Sequence, residues 1–326
     1  MTGAAPRPLA DPRWLAAARR RPALWRLAAG TLLALAIYLA GAGAAVGLWI
    51  RVVARPEDAG AAARAVGDLV GGETPAAMLF LLATFAFMGL GAWAAARWLH
   101  RRRLGEMIGP RAASWRDFRL AAAVVLALNA VPVVLAVTSG EVFRALDPAT
   151  WALLLLPAVP LIALQTGAEE LLFRGYLQGQ LAARFRSPLV WAVLPSLVFG
   201  AAHWDAGNGP AAWAILGATA LFGLAAADLT AMTGRLGAAW GLHFANNLVA
   251  LTVIGTQGAL PGLALWRTPW ALAEAPAAPA LILLDMALLA VIWLAVRTLL
   301  RRRLQSAGAA NTSAGPAPGS ASGGPR

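Results

Sequence analysis

The long apolar runs of this sequence constrain its fold more than any other feature. Several of them reach about 20 residues, the length that an α-helix needs to cross the roughly 30 Å hydrocarbon core of a bilayer. Only 13% of the 326 residues are charged, whereas a soluble domain carries about 25%. The sequence therefore predicts an all-α, polytopic integral membrane protein, a bundle of about eight transmembrane helices.

The predicted domain organisation follows the apolar runs. Residues 25–303 should form the transmembrane bundle, between a basic cytoplasmic tail at 1–24 and a tail at 304–326. We expect both tails to be disordered, and the second consists almost wholly of small and polar residues. The first run is too long for a signal-peptide core and should be retained. The predicted spans are Leu27–Ile50, Pro75–Ala96, Leu120–Val137, Trp151–Phe173, Leu189–His203, Ala211–Leu229, Leu236–Ile254 and Pro279–Leu299.

Arginine distribution predicts the orientation in the membrane. All 27 basic residues are arginine; they cluster at residues 7–26, 97–119 and 297–303 and are sparse in the intervening loops. Cytoplasmic loops carry such an excess, so both termini should be cytoplasmic. The alanine-rich, lysine-free composition is typical of a GC-rich genome, which indicates the cytoplasmic membrane of a prokaryote. Despite a net charge of +12, no soluble segment carries a basic stripe interleaved with aromatic residues, so we expect membrane lipids and no nucleic acid as partners.

The sequence lacks the residues and motifs that several classes of hydrolase need. The chain has no cysteine, which excludes disulfides, thiolate metal sites and a cysteine nucleophile. It has no His-Glu-x-x-His zinc motif and no Gly-x-Ser-x-Gly nucleophile elbow.

Three polar patterns interrupt the apolar segments between residues 151 and 254. Ionisable groups in a bilayer are costly, so each needs a structural or functional reason. Of the three histidines, only His100 lies outside these patterns, in an arginine-rich loop where we expect it to be solvated. The patterns are Glu169-Glu170-x-x-x-Arg174, Phe199-x-x-x-His203 and His243-x-x-x-Asn247.

Helical spacing assigns different roles to the two glutamates. Glu170 and Arg174 are four residues apart, the acid first, which favours an ion pair on one helix face. Glu169 is left without a local partner, and a carboxylate in an apolar surround can act as a general base. The Glu170–Arg174 pair would equally suit a purely structural link within the bundle.

The histidine patterns provide further polar groups on helix faces. His243 and Asn247 are four residues apart and project from one face as hydrogen-bond donors. Phe199 stands one turn before His203, where its ring can hold the imidazole. Either His203 or Asn247 alone would usually be a packed residue that bonds between helices; the prediction of chemistry depends on the whole set.

At these residues the sequence resembles the CPBP family of intramembrane proteases, also called the CAAX-protease and bacteriocin-processing, or Abi, family. The family has the same three motifs in the same order, and the resemblance covers about Trp151–Ile254. It implies an intramembrane endopeptidase that cleaves a peptide or membrane-protein substrate. Carried over, the first glutamate activates a water, the first histidine positions it, and the second histidine and the asparagine hold the oxyanion. The implied catalytic residues are Glu169, His203, His243 and Asn247, with Glu170, Arg174 and Phe199 supporting.

Two questions stay open at this stage. The family has been described as metal-dependent; we expect no cofactor, and the alternative is one zinc ion held by Glu169, His203 and His243. The alternative functions are a transporter or channel and a non-catalytic, immunity-type membrane protein with the same fold. Glu169 and His203 can meet only if the fourth helix continues through Tyr176–Phe185.

Overall fold

The computed structural model describes residues 12–54, 60–275 and 277–313, which are mostly helical. The helices are α1 (Pro12–Arg19), α2 (Leu24–Val53), α3 (Ala61–Gly71), α4 (Pro75–Ala94), α5 (Leu104–Ile108), α6 (Arg111–Thr138), α7 (Pro148–Glu170), α8 (Gly179–Arg184), α9 (Leu194–Ala201), α10 (Ala211–Thr233), α11 (Gly237–Thr252) and α12 (Ala278–Ser313). π-Helical turns extend α4 (Ala95–Leu99), join α7 to α8 (Leu171–Gln178) and precede α9 (Leu189–Val193).

The all-α membrane fold is confirmed. Within the described ranges, six helical segments are long and apolar enough to cross a membrane. The predicted fifth and seventh spans correspond to shorter helices, Leu189–Ala201 and the 16-residue α11, so the count of eight stays a prediction. The six segments are Leu24–Val53, Pro75–Leu99, Arg111–Thr138, Pro148–Arg184, Ala211–Thr233 and Ala278–Ser306.

The fourth span is long, as the meeting of Glu169 and His203 requires. It runs for 37 residues without a break, from Pro148 to Arg184. After a turn that contains Pro188, the chain reverses into α9. At about 1.5 Å per residue, the path from Arg184 back to Glu169 and the path from Leu189 to His203 are both about 20 Å, so the two side chains lie at a similar depth.

Two glycines fix α11 against α6. A Cβ atom on Gly237 would lie 1.9 Å from the carbonyl oxygen of Ser114, and one on Gly241 would lie 2.2 Å from that of Phe118. Neither position has room for a side chain, and Gly237-x-x-x-Gly241 is the small-residue spacing that lets membrane helices approach closely. This contact holds α11, which carries His243 and Asn247, at a set distance from α6.

A small sheet, which the sequence did not predict, links loops at the arginine-poor end. Its strands are β1 (Phe143–Arg144), β2 (Ile254–Gln257) and β3 (Trp266–Ala271), in the order β1-β3-β2. β3 pairs antiparallel with β1 and parallel with β2. The loop after α6 is thereby joined to the long loop between α11 and α12.

Both predicted tails are partly helical, which corrects the expectation of disorder for their described residues. Trp14 and Leu15 of α1 are each only 3% exposed and pack with Ala182 and Trp191. The last helix continues to Ser313, beyond the predicted end of the bundle. The remainder of the predicted tails, residues 1–11 and 314–326, lies outside the described residues.

The expectation that His100 is solvated is wrong, because its side chain is 1% exposed. Its Nδ1 lies 2.9 Å from the carbonyl oxygen of Arg21 and its Nε2 lies 3.1 Å from the hydroxyl of Tyr176. A carbonyl can only accept, so Nδ1 donates and Nε2 accepts from the tyrosine. His100 thus connects the chain before α2 to the π-helical turn after Glu170.

Candidate active site

Glu170 is the centre of a buried ion-pair group. Its side chain has no solvent exposure, and its Oε1 accepts from Nη1 of Arg174 at 3.0 Å and from Nδ1 of His243 at 2.8 Å. The predicted Glu170–Arg174 pair therefore forms and also holds the histidine of α11. One carboxylate oxygen thus joins the α7 segment to α11.

Besides its ion pair with Glu170, Arg174 contacts groups from α10 and α9. Its Nη2 donates to the carbonyl oxygen of Gly223 on α10 at 3.3 Å, and its guanidinium lies 4.7 Å from the ring centre of Phe199 on α9. The aromatic face favours the cation. Phe199 also contacts His203 and His243, with ring centres 4.6 and 5.9 Å away. Phe199 therefore packs against both motif histidines as well as the arginine.

Glu169 faces the other nitrogen of the same histidine. Its Oε2 lies 3.4 Å from Nε2 of His243, and both side chains are about 95% buried. Because Nδ1 of His243 donates to Glu170, Nε2 is the ring nitrogen that faces Glu169. Oε2 accepts no hydrogen bond from a described residue and can accept one from a water or a substrate.

His203 is the exposed member of the set. It follows the end of α9, and its Nδ1 donates to the carbonyl oxygen of Phe199 at 2.7 Å. That bond and the Phe199 ring fix the imidazole, leaving Nε2 as the nitrogen available to a ligand.

Asn247 has a partner that the sequence did not single out. Its Nδ2 donates to Oε1 of Gln165 at 3.0 Å, across the α7–α11 contact. Gln165 is one helical turn before Glu169 and is 6% exposed. Sequence reasoning could have found Gln165, because it is a polar residue within an apolar helix and lies one turn before the glutamates. The Gln165 bond orients the amide of Asn247.

One cavity of about 710 Å³ joins these groups. Glu169, His203, His243 and Asn247 all line it, whereas Glu170 and Arg174 lie behind its wall. The N-terminal half of the chain supplies most of the opposite wall, which is largely apolar and comes from α2 and α4. That wall contains Leu35, Tyr38, Met78, Leu81, Leu82, Phe85 and Met88.

Further polar residues line this cavity outside the predicted motifs, among them Asn246 and Asp285. Asn246 lies beside Asn247 on α11, and Asp285 approaches from α12. Asp285 makes no hydrogen bond or ion pair with a described residue. Its distance in the chain from the motifs explains why sequence spacing could not connect it with them.

The zinc alternative stays a prediction, and the described side chains offer no preformed site for it. In the described part of the chain, no group of three histidine, cysteine or acidic side chains is arranged to hold a metal ion. We therefore derive no step through a metal.

Comparison with known proteins agrees with the predicted resemblance. Residues 148–249 match the family described as type II CAAX prenyl endopeptidase Rce1-like, which confirms the similarity to the CPBP proteases over this segment. The chain is also 28% identical over 179 residues to the uncharacterized protein YyaK of Bacillus subtilis (strain 168). That alignment covers 53% of this chain, which spans 59% of the length of this curated relative. No solved structure matches the chain.

Proposed function

From the match of residues 148–249 to the Rce1-like endopeptidases, we propose that this protein is an intramembrane endopeptidase with a glutamate-activated water. One observation carries the proposal: Oε2 of Glu169 lies on a cavity wall, without a hydrogen bond from a described residue, 3.4 Å from Nε2 of His243. A buried carboxylate oxygen in this environment is suited to take a proton from water.

In the proposed reaction, a water against Glu169 loses a proton to Oε2 while its oxygen attacks the scissile carbonyl carbon. Donors from His243 and Asn247 stabilise the negative charge that develops on the carbonyl oxygen. His203, on the same cavity, positions the water. The C–N bond then breaks as the amine takes the proton from Glu169, which restores the carboxylate.

The cavity also favours a class of substrate. Its apolar wall from α2 and α4 suits a peptide with apolar side chains or a lipid-modified end, as in the CAAX prenyl substrates named for the matched family. We propose a membrane-bound peptide or protein, with the scissile bond presented to the polar wall.

The test is cleavage of apolar membrane peptides by the purified protein in lipid nanodiscs. Glu169→Gln keeps the side-chain size and removes the base, so the rate should fall about 10²–10⁴-fold. The matched control is Glu141→Gln, the same chemical change at an exposed site in the loop after α6, which should cleave as the wild type does. Full activity of Glu169→Gln would exclude this mechanism, and activity in neither protein would favour a transporter or a non-catalytic role.

Metal dependence is tested in the same assay. Because the proposed water is activated by a carboxylate alone, a chelator should leave the rate within about twofold of its starting value, whereas losing a metal-bound water would remove several kcal/mol of catalysis. Loss of activity on chelation, with restoration by zinc only, would establish the zinc alternative instead.

A further inference from the structure

A second cavity lies at the arginine-rich end of the molecule, away from the glutamates. It has a volume of about 820 Å³ and is bounded by the first turns of α6, the loop before α11 and the later turns of α12. Leu120 and Leu300 contribute to an apolar floor. Its charged residues are Arg116, Asp117, Arg119, Arg235, Arg302 and Arg303.

These arginines differ in what they contact. Arg235 donates from Nε to Oδ2 of Asp117 at 2.6 Å, so the single acid of the cavity is already paired. Arg116, Arg302 and Arg303 are exposed and make no ion pair with a described residue. With Arg119, whose guanidinium lies 5.9 Å from the ring centre of Trp115, the cavity therefore presents four guanidinium groups without an ion pair to a described residue.

We propose that this cavity binds the phosphate-bearing headgroup of an anionic phospholipid. Guanidinium groups bind phosphate oxygens in a bidentate way, and basic pockets between transmembrane helices at the cytoplasmic side bind anionic headgroups. The orientation of the protein in the membrane requires only an excess of arginine in the loops on one side of the bilayer. It does not require arginines from distant parts of the chain to meet around one cavity.

The surroundings favour a lipid over free phosphate. The apolar floor provides no contact for a small anion, but it can accommodate the start of an acyl chain. Trp115, 52% exposed, lies beside Arg116, and its ring is 5.9 Å from the guanidinium of Arg119. Exposed tryptophans are typical of the headgroup level of a bilayer, so this cavity lies where headgroups lie.

The experiment compares lipid retention by variants of the full chain. Protein from nanodiscs that contain phosphatidylglycerol and phosphatidylcholine is moved to detergent, and native mass spectrometry counts the retained lipids. The triple variant Arg116→Gln, Arg302→Gln, Arg303→Gln should retain at least about tenfold less phosphatidylglycerol than the wild type, because each surface arginine contributes to headgroup attraction. The control is Arg97→Gln, Arg101→Gln, Arg103→Gln, which removes the same charge from exposed arginines near the end of α4 and should retain lipid as the wild type does.

Two further measurements identify the ligand and keep the test valid if the triple variant does not fold. If millimolar inorganic phosphate displaces the lipid, the site is one for free phosphate; equal retention of phosphatidylcholine, or equal loss in both triple variants, would overturn the proposal. In the wild-type chain, a photoactivatable phosphatidylglycerol should crosslink to residues near the start of α6 and the later turns of α12. Crosslinks elsewhere only would overturn the proposal even if the triple variant fails to fold.

Discussion

At the scale of single residues, Glu169 and Glu170 are adjacent in the chain but differ in what they hold. Glu170 binds both Arg174 and His243 through one buried oxygen. Replacing it by Gln leaves a buried arginine without its counter-charge, a change that typically costs about 3–5 kcal/mol. Glu170→Gln should therefore lower both folded yield and unfolding temperature, whereas Glu169→Gln should lower activity alone. Wild-type yield and unfolding temperature for Glu170→Gln would contradict this structural role.

Asn247 should affect the rate more than substrate binding. If its amide stabilises the oxyanion, Asn247→Ala should reduce kcat by about 10²–10³-fold with little change in KM. The comparison variant is Asn246→Ala, which removes the same group from the neighbouring position on the same cavity and should have a much smaller effect. Equal losses in the two variants, or a change confined to KM, would argue for a role in binding.

The buried His100 should make the stability of the folded protein depend on pH. Burial lowers the pKa of His100 below its usual 6.5, so the unfolded chain takes up a proton there more readily than the folded one. Stability from this residue is present above the unfolded pKa and is lost as pH falls below it. His100→Gln should weaken the decline in unfolding temperature below pH 6.5; an unchanged decline would show that other groups determine it.

The sequence could predict the site's polar residues but not all their partners. The motif residues share helix faces, so local spacing was enough to select them. His100 was misinterpreted because its partners, Arg21 and Tyr176, lie 79 and 76 residues away in the chain. Gln165 had no motif that paired it with Asn247.

At the scale of elements, the α6–α11 contact is the most sensitive to substitution. Gly241→Ala would put a methyl group 2.2 Å from a backbone oxygen of Phe118, which cannot move away as a flexible side chain can. We expect α11 to shift, with a loss of both activity and thermal stability. The control is Gly217→Ala on α10, where an added Cβ meets nothing within 4 Å. It should be as stable as the wild type or more so, since alanine favours helix by about 1 kcal/mol over glycine. Equal behaviour of the two variants would contradict the close contact.

Hydropathy predicted where helices lie better than how long they are. The six long segments follow the apolar runs, but the apolar run of the predicted seventh span leads from α11 into β2, where strand pairing replaces helix. A helix packed among others, as α11 is against α6, α7 and α10, does not need the full bilayer length to be apolar. Run length alone therefore could not determine the end of α11.

At the scale of the whole molecule, arginine placement predicts orientation, and the absence of native cysteine makes it testable. Gly105→Cys, exposed on α5 with open space around the new side chain, should react with an impermeant thiol reagent only in inverted membrane vesicles. Ser139→Cys, exposed at the end of α6, should react only in intact cells. The reverse pattern would contradict the prediction that both termini are cytoplasmic.

The two walls of the cavity that contains Glu169 come from different stretches of chain, and this has an evolutionary consequence. The motif residues lie on the segment that matches the protease family, residues 148–249, while the facing apolar wall belongs to α2 and α4, outside that match. Substitutions at positions such as Leu81 or Phe85 can reshape the wall without touching the proposed base or the proposed oxyanion donors. For the proposed endopeptidase, natural selection can therefore alter which substrates enter while the proposed hydrolytic residues are inherited unchanged.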